Sequence, residues 1–225
     1  MDIAPVMISL KTAVFSIVFT FFAGILAAYL VVRIQNEKVK MVWDGLLTLP
    51  LVLPPTVAGF FLLYVFGVKR PVGSFFVEYF GVKIAFSWGA TVLAAAVISF
   101  PLMYRSARGA FEQVDENLIY AGRTLGMSEA FIFRRVLLPN ALPGVLSGGI
   151  LAFARGLGEF GATAMIAGNI AGRTRTLPLA VYSEVAAGNM EGAYKYVLIL
   201  VLISFLAVSG MNVAAGMFRK QGRRR

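Results

Sequence analysis

The chain has 225 residues, of which 59% are hydrophobic and only 14% are charged, and its formal net charge is +10. A soluble domain of this length is usually about half apolar and about a quarter charged, so the composition indicates an integral membrane protein in a lipid bilayer. The chain contains no Cys and no His, which excludes disulfides, thiol catalysis and the common zinc sites. Its basic residues lie between and after the apolar runs, which is typical of membrane-protein loops and argues against nucleic-acid binding.

Five uncharged apolar runs, each about as long as a bilayer is thick, predict five transmembrane helices. The runs lack the alternation of barrel strands, so the expected fold class is all-α. The segment 170–195 is too charged, and its apolar part is too short, for an ordinary span. It is predicted to be a loop or a re-entrant helix packed against protein. The five spans cover residues 12–32, 45–68, 84–104, 136–154 and 196–218.

The distribution of Lys and Arg predicts the orientation of the spans. If the N-terminus lies outside, the inner segments are 33–44, 105–135 and 219–225, and they hold 13 basic residues. The outer segments hold 7. Because cytoplasmic loops carry the excess of positive charge, this split predicts an N-terminus outside and a C-terminus in the cytoplasm. A sixth span near 170–190 would place the basic tail outside, which counts against it.

One stretch, residues 106–135, is amphipathic rather than apolar and is cytoplasmic in this topology. Its length fits two short helices joined at Gly126, with Ser128 as the N-cap of the second helix over 129–138. A solvated linker is the alternative interpretation. The stretch has more apolar residues than a linker without a partner requires: Leu118, Ile119, Ala121, Leu125, Phe131 and Phe133.

The sequence lacks the groups that an enzyme or an ATP-binding protein would need. No Gly-x-x-x-x-Gly-Lys-Ser/Thr segment occurs, so no P-loop is present. No catalytic residue, metal ligand or cofactor is predicted in this chain. If the protein drives an ATP-dependent process, another subunit must hydrolyse the ATP. A secondary transporter, which moves its substrate without an ATPase subunit, is a second class of function to consider for such a membrane protein. It would need coupling-ion carboxylates and usually internal repeats, whereas Glu159, just after the fourth apolar run, is the one candidate carboxylate and no repeat is visible.

The amphipathic stretch carries a resemblance to a known family. It reads Tyr-Ala-Gly at 120–122, three residues, Gly126, nine residues, and Val-Leu-Leu-Pro at 136–139. This spacing resembles the cytoplasmic motif of ABC importer permeases, which is Glu-Ala-Ala, three residues, Gly, nine residues, Ile, any residue and Leu-Pro. Tyr120 stands where the family has Glu, and Gly122 stands where the family has the second Ala.

Three further segments narrow the resemblance to the molybdate and sulfate branch of this family. Residues 49–59, LPLVLPPTVAG, are similar to its second-span signature, and residues 151–163, LAFARGLGEFGAT, are similar to its fourth-span signature. Residues 172–178, GRTRTLP, look more like the molybdate permeases than the sulfate permeases. The resemblance covers about residues 11–218.

The resemblance implies the fold of a type I ABC importer permease, with residues 1–225 as a single transmembrane domain and about 106–139 as the coupling loop. In this family the coupling loop docks into a groove of a separate ATPase subunit, which binds ATP and Mg²⁺. The residues expected at this contact are Leu118, Tyr120, Ala121, Gly122, Leu125, Gly126, Met127 and Pro139.

The resemblance also implies partners and a substrate. The expected partners are a second copy of the permease, two cytoplasmic ATP-binding-cassette subunits and an extracytoplasmic molybdate-binding protein, with this chain as a multi-pass subunit in the cell (inner) membrane. The expected substrate is molybdate. Sulfate and tungstate stay open as alternatives, because these tetrahedral dianions share size and charge.

The two span signatures supply the residues expected at the translocation pathway. Pro54 and Pro55 remove two backbone donors within a span, so that helix must kink or unwind; a kink with no functional role is the alternative. Arg155 and Glu159 are four residues apart and therefore neighbours on a helix. They form either an internal ion pair or a pathway wall, and the adjacent Glu argues against an anion-binding site. The expected pathway residues are Pro54, Pro55, Thr56, Arg155, Glu159 and Thr163.

Overall fold

The structure, a computed structural model, describes residues 2–222, and the chain is all α-helical over this range, with no strand. Side chains are described over the same range except at 214, 215 and 217–222. A π-helical turn, Phe133–Leu137, lies between α7 and α8. The helices are α1 (Ala4–Val32), α2 (Glu37–Val52), α3 (Pro55–Phe66), α4 (Pro71–Phe80), α5 (Trp88–Glu112), α6 (Glu116–Thr124), α7 (Glu129–Ile132), α8 (Leu138–Leu157), α9 (Gly161–Ile166), α10 (Leu177–Ala186) and α11 (Met190–Gly222).

Four single helices match the first, third, fourth and fifth predicted spans, and the second counts as a span when its two helices are taken together. The second, 45–68, is a pair of helices, α2 and α3, bent by 110°. The first begins earlier than its apolar run because α1 continues through Lys11, whose long stem can lie along the helix while its charge reaches the membrane surface. The four helices that are individually long and apolar enough to cross a membrane are Ala4–Val32, Trp88–Glu112, the continuous Glu129–Leu157 and Met190–Val213.

The bend in the second span lies at the two consecutive prolines. Leu53 and Pro54 both have extended backbones, with ψ values of 140° and 135°. Neither Pro54 nor Pro55 has an N–H group to donate to the preceding turn, so α2 cannot continue into α3. The predicted kink is therefore confirmed, whereas Pro50 is accommodated inside α2.

Helix α5 lies at the centre of the bundle, and its contact with α1 is made by small polar side chains. The Thr12 Oγ1 atom lies 2.7 Å from the Thr91 Oγ1 atom, and the Thr20 Oγ1 atom lies 3.3 Å from the Ser99 Oγ atom. All four side chains are buried. Each hydroxyl therefore finds a partner across the interface, which avoids the cost of burying an unpaired polar group.

Glycines bring α1 and α8 close to α5. A Cβ atom placed on Gly24 of α1 would lie 2.6 Å from the Met103 Cγ atom of α5. A Cβ atom placed on Gly144 of α8 would lie 2.6 Å from the Ala110 Cβ atom, also of α5. Small residues at such positions allow close helix packing in membranes, where water does not drive helices together.

The segment that was predicted to be a loop or a re-entrant helix contains the short helix α10. Its 10 residues span about 15 Å, roughly half of the hydrocarbon thickness, so it cannot cross a membrane. Leu177 and Ala180 are buried against Tyr196 of α11. The predicted packing against protein is therefore confirmed.

The two ends of α1 mark opposite faces of the bundle. Near its N-terminal end, the Ser9 Oγ atom accepts a hydrogen bond of 2.7 Å from the Leu177 backbone N–H. Just beyond its C-terminal end, the Arg33 Nη2 atom lies 3.0 Å from the Glu129 Oε2 atom. Because α1 has 29 residues and spans about 43 Å, the segment before α10 and the amphipathic stretch lie on opposite sides of the membrane.

The contact at Gly24 gives a stability prediction. Gly24→Val would force the new methyl groups against Met103 of α5, and overpacking of this kind costs roughly 1–3 kcal/mol. We expect a lower folded yield and a lower thermal midpoint in detergent. Gly210→Val is the matched control, because nothing lies within 4 Å of a Cβ atom placed there. Equal midpoints for the two variants would contradict the close packing of α1 on α5.

The orientation of the bundle stays a prediction, and the tail at 223–225 lies outside the described residues. We expect a reporter enzyme that is active only outside the cytoplasm to be silent when it is fused to the C-terminus. The same reporter should be active when it is fused after Gly172, which follows four spans. The opposite pattern of activities would invert the topology, and activity at both positions would mean that the last span does not cross.

Candidate functional site

The amphipathic stretch forms two short helices, α6 and α7, which turn sharply at Gly126. Gly126 has φ of +72°, a conformation that costs a residue with a side chain about 1–2 kcal/mol. The Met127 N–H donates to the Gly122 carbonyl at 3.0 Å, and the Gly126 N–H donates to the Arg123 carbonyl at 2.9 Å. This pair of bonds is the Schellman arrangement that ends many helices at a glycine. The predicted junction at Gly126 is confirmed.

Side-chain caps start both helices. The Asp115 Oδ1 atom accepts from the Asn117 N–H at 2.9 Å, and the Ser128 Oγ atom accepts from the Phe131 N–H at 3.3 Å. The Ser128 cap was predicted. These caps satisfy backbone donors that have no partner within their own helix, so α6 and α7 are defined by their sequence as well as by their packing.

Pro139 lies within a continuous helix that joins the amphipathic stretch to the fourth span. The helix runs without a break from Glu129 to Leu157. The Leu138 N–H bonds to the Phe133 carbonyl, five residues back, so the turn before Pro139 is wider than an α-helical turn. A π turn gives room for the proline ring, which would otherwise meet the carbonyl four residues before it. The second short helix, α7, and the fourth span therefore form one continuous helix.

Seven of the eight predicted docking residues are exposed, and Gly122 is buried. The exposed ones lie on α6 or at the α6–α7 turn, except Pro139, which lies at the start of α8. Exposed apolar residues on a polar segment outside the spans indicate a surface that a partner protein covers. The large apolar residues of this surface and their exposed fractions are Leu118 (47%), Tyr120 (54%), Leu125 (73%), Met127 (37%) and Phe131 (46%).

The packing of α6 against α7 explains why glycine stands at position 122, where the family motif has alanine. A Cβ atom placed on Gly122 would lie 3.1 Å from the Ile132 Cγ1 atom, which is tighter than nine in ten real contacts of a Cβ atom. The absence of a side chain lets α6 lie directly against α7. The departure therefore leaves the turn intact.

An ion-pair network ties the amphipathic stretch to the end of α1. The Glu129 carboxylate accepts from the Arg123 Nε atom at 2.8 Å and from the Arg33 Nη2 atom at 3.0 Å. Hydrogen bonding to Glu129 raises the pKa of the Arg123 guanidinium. The Tyr29 ring packs on the Phe133 ring with centroids 4.5 Å apart. No local sequence pattern indicates this contact, because Arg33 and Glu129 are 96 residues apart.

A second ionic contact holds α2 against α5 on the same side of the bundle. Asp44 pairs with Arg108 and accepts a 3.0 Å hydrogen bond from the Tyr104 hydroxyl. The Lys40 Nζ atom lies 3.3 Å from the Glu112 Oε1 atom. Helix α2 has no buried residue of its own, so these polar contacts are a main part of its attachment. They were not predicted either, because α2 and α5 are distant in sequence.

The structure brings the two span signatures together through α3 and α9. A Cβ atom placed on Gly59 would lie 2.6 Å from the Ala162 Cα atom, and one placed on Gly161 would lie 3.0 Å from the Pro55 Cβ atom. Thr56 is exposed beside this contact, whereas Thr163 is 1% exposed. The expected pathway residues Pro54, Pro55, Thr56 and Thr163 therefore lie in one region, and their role in transport stays a prediction.

Arg155 and Glu159 form an ion pair where α8 ends. The Arg155 Nη1 atom lies 2.8 Å from the Glu159 Oε2 atom, although the two groups are not aligned for a hydrogen bond. The other Glu159 oxygen, Oε1, accepts from the Ala162 N–H at 2.8 Å at the start of α9. The Glu159 side chain is 1% exposed and the Arg155 side chain 32% exposed. The pair thus joins α8 to α9, and a further role as a pathway wall stays a prediction.

Comparison with known proteins places these features in a family. The family described as "Binding-protein-dependent transport system inner membrane component" matches residues 12–219. The chain is 43% identical over 204 residues to the "Molybdenum transport system permease protein ModB" of Escherichia coli (strain K12), covering 90% of this chain and 89% of that protein. It is 40% identical over 209 residues to the protein of the same name from Haemophilus influenzae, covering 92% and 91%.

A solved structure has the same fold. The chain superposes on one from "Inward facing conformations of the MetNI methionine ABC transporter" with a TM-score of 0.75, covering 95% of this chain and 94% of that chain. The two sequences are 21% identical, so the likeness concerns the fold alone. It confirms the expected fold of a type I ABC importer permease.

The ion pair gives a prediction that separates charge from packing. Arg155→Ala leaves a buried carboxylate without its counterion, which is strongly unfavourable. Glu159→Gln removes the charge but keeps the oxygen that accepts from Ala162. We expect Arg155→Ala to lower folded yield and thermal midpoint most, and the double variant Arg155→Ala/Glu159→Gln to recover part of the loss. Pairs in direct contact couple by about 0.5–3 kcal/mol, so strictly additive losses would contradict the pairing.

Proposed function

This chain belongs to the family of binding-protein-dependent transport system inner membrane components, and on that premise we propose that it is the membrane-spanning permease subunit of an ATP-driven molybdate importer in the cell (inner) membrane. The observation that carries the proposal is the α6–α7 turn. It combines the family spacing around Gly126 with exposed apolar residues that have no partner among residues 2–222. Such a surface suits a socket on another subunit.

The energy for transport comes from partner subunits. The sequence contains no P-loop, so ATP and Mg²⁺ are bound by two cytoplasmic ATP-binding-cassette subunits rather than by this chain. This chain therefore acts as a transport subunit and not as an enzyme. In the complex, α6 is the coupling helix that enters a groove of the ATPase, with Leu118, Tyr120 and Leu125 as its apolar contacts.

The geometry of the coupling segment suggests how ATPase motion reaches the membrane. Because α7, the π turn and α8 form one helix from Glu129 to Leu157, a displacement of the α6–α7 turn moves the whole fourth span. The Glu129 link to Arg33 carries the same displacement to α1. The ATPase thus acts on two spans through one contact, and the transition is a rigid-body movement of packed helices.

The pathway forms between two copies of this permease. Each copy docks one ATPase subunit, and an extracytoplasmic binding protein delivers the anion to the outer mouth. Closure of the ATPase dimer on ATP then drives the exchange between inward-open and outward-open arrangements. Much of the selectivity lies in the binding protein, so the permease needs no tight anion site of its own.

Molybdate is the proposed substrate on two grounds. Two relatives that are 43% and 40% identical, over most of their length, are named as molybdenum permeases. The segment 172–178 also resembles that branch more than the sulfate branch. The direct test is uptake of labelled molybdate by proteoliposomes that contain this chain, its ATPase and its binding protein, with sulfate and tungstate as competitors. ATP-driven uptake of sulfate in preference to molybdate would reassign the substrate.

The coupling assignment gives a prediction for Ala121, which is exposed on α6. Ala121→Asp would place an unpaired charge inside the contact with the ATPase, which is strongly unfavourable. We expect normal membrane insertion, loss of ATPase copurification and loss of molybdate uptake.

Two controls accompany this variant. Ala121→Ser keeps the small size without the charge and should bind the ATPase. Ala187→Asp makes the same change at an exposed position after α10, on the opposite face, and should also leave ATPase binding intact. If Ala121→Asp retains the ATPase and transports at the normal rate, α6 is not the coupling helix.

A further inference from the structure

Four charged side chains that join α2 to α5 form a closed cluster. Lys40 and Asp44 lie on α2, and Arg108 and Glu112 lie on α5. Asp44 pairs with Arg108 across the interface, and the Lys40 Nζ atom lies 3.3 Å from the Glu112 Oε1 atom. The Arg108 Nε atom also lies 3.0 Å from the Glu112 Oε1 atom, within α5 itself. Each helix therefore contributes one cation and one anion to this charge cluster.

The spacing of the four residues gives each charge a second partner on its own helix. Arg108 and Glu112 are four residues apart and already pair within α5. Lys40 and Asp44 are also four residues apart, which makes them neighbours on the surface of α2. If α2 moved away from α5, Lys40 would pair with Asp44 while Arg108 kept Glu112. Every charge thus has a counterion both when the helices are together and when they are apart.

The charge cluster is open enough to water to separate at low cost. Its four side chains are between 19% and 39% exposed. Ion pairs that water reaches contribute little net stability, because water also solvates the separated charges. No residue of α2 is buried. The contact of α2 with α5 therefore differs from that of α1 with α5, where the paired hydroxyls are buried.

The chain that follows α2 has the geometry of a hinge. Leu53 and Pro54 have extended backbones, and a bend of 110° separates α2 from α3. Helix α3 is held independently, because a Cβ atom placed on Gly59 would lie 2.6 Å from the Ala162 Cα atom, at the start of α9. A few residues between two helices can absorb the change in backbone angles that a hinge movement requires. Helix α2 can therefore swing while α3 stays against α9.

A cavity beside the charge cluster gives the first turn of α2 room to move. Its volume is about 560 Å³, and its lining includes Glu37 and Lys40 of α2 and Arg123 and Glu129 of the coupling segment. Over residues 2–222, no ion pair joins α2 to the coupling segment. A displacement of the coupling segment therefore reaches α1 and the fourth span through direct contacts, but it does not reach α2 in this way.

We propose that the charge cluster is a releasable latch, which holds the cytoplasmic half of the second span against α5 and opens during the transport cycle. This inference rests on the proposed function, in which the ATPase displaces α1 and the fourth span. Helix α2 stays with α5 until the four charges exchange partners, from pairs between the helices to pairs within each helix. Neither arrangement leaves a charge without a counterion, which lowers the barrier between the two states.

A covalent link across the charge cluster tests whether the latch opens. The chain contains no Cys, so two introduced cysteines can be joined specifically. In Lys40→Cys/Glu112→Cys, a short reducible linker between the thiols ties α2 to α5. ATP-driven molybdate uptake, measured in proteoliposomes with the ATPase and the binding protein, should fall roughly tenfold or more on linking and return after reduction. Uptake at the unlinked rate would overturn the proposal, because α2 would then be a fixed part of the bundle.

The matched control is the same linker in Arg33→Cys/Glu129→Cys. It ties the end of α1 to the coupling segment, and these two elements move together in the proposed function. Uptake should therefore be largely retained when this variant is linked. Equal losses in the two linked variants would overturn the proposal, because any tie on this face would then block uptake.

Exchanging the charges tests the change of partners. Lys40→Asp/Asp44→Lys keeps the pair within α2 but places like charges opposite each other across the interface, and adding Arg108→Glu/Glu112→Arg restores opposite charges there. We expect the α2 exchange to lower the molybdate transported per ATP hydrolysed, and the four-residue exchange to recover most of it. A merely structural contact would lower the thermal midpoint and leave this ratio unchanged. That result, or equal losses in both variants, would overturn the proposal.

A distance measurement separates the latch from the proposed function. Spin labels on Met41→Cys and Gln113→Cys, both at exposed positions, report how far α2 lies from the end of α5. An excess of unlabelled wild-type chain limits the signal to pairs within one chain, because the wild type has no Cys. The α2 exchange should lengthen this distance and the four-residue exchange should restore it, whereas an unchanged distance would overturn the latch. If the distance responds but wild-type proteoliposomes take up no oxyanion, the proposed function fails and the latch stands.

Discussion

Helix α5 packs closely against both α1 and α8, and this contact holds the bundle together. In lipid, helices gain little from burying apolar surface against one another, so close packing and buried hydrogen bonds must hold them. Thr12 with Thr91 supplies a hydrogen bond, and Gly24 and Gly144 let the backbones approach. This three-helix unit supports elements with little attachment of their own, such as α2, which has no buried residue.

The coupling segment, α6 and α7, has a sharp turn between its two helices and a continuous helical connection from α7 into the fourth span. The glycine turn between α6 and α7 fixes the angle of the coupling helix, while α7 passes without a break into the fourth span. A hinge at this second junction would absorb a push from outside, whereas a continuous helix passes it on. The π turn before Pro139 is what keeps this helix continuous, because it accommodates a residue that would otherwise break it.

The sequence allowed most of the fold to be predicted, because its strongest signals were local. Apolar runs located the spans, Pro54 and Pro55 located the bend, and Gly126 with Ser128 located the turn and the cap. The contacts of Arg33 with Glu129 and of Asp44 with Arg108 join residues that no spacing relates, so they required the structure. The wider turn before Pro139 also required the structure, because a proline in the sequence does not indicate the turn that precedes it.

The contact between Gly122 and Ile132 has a consequence for how this family varies. The family motif has Ala at the position of Gly122, yet here a methyl group would press on Ile132. The two positions share one small volume, so a larger residue at the first demands a smaller or displaced one at the second. Relatives with Ala in the motif should therefore carry a compensating residue opposite it, and the two positions should covary. Selection on the motif residue at position 122 therefore also acts on position 132, which lies on the neighbouring helix α7.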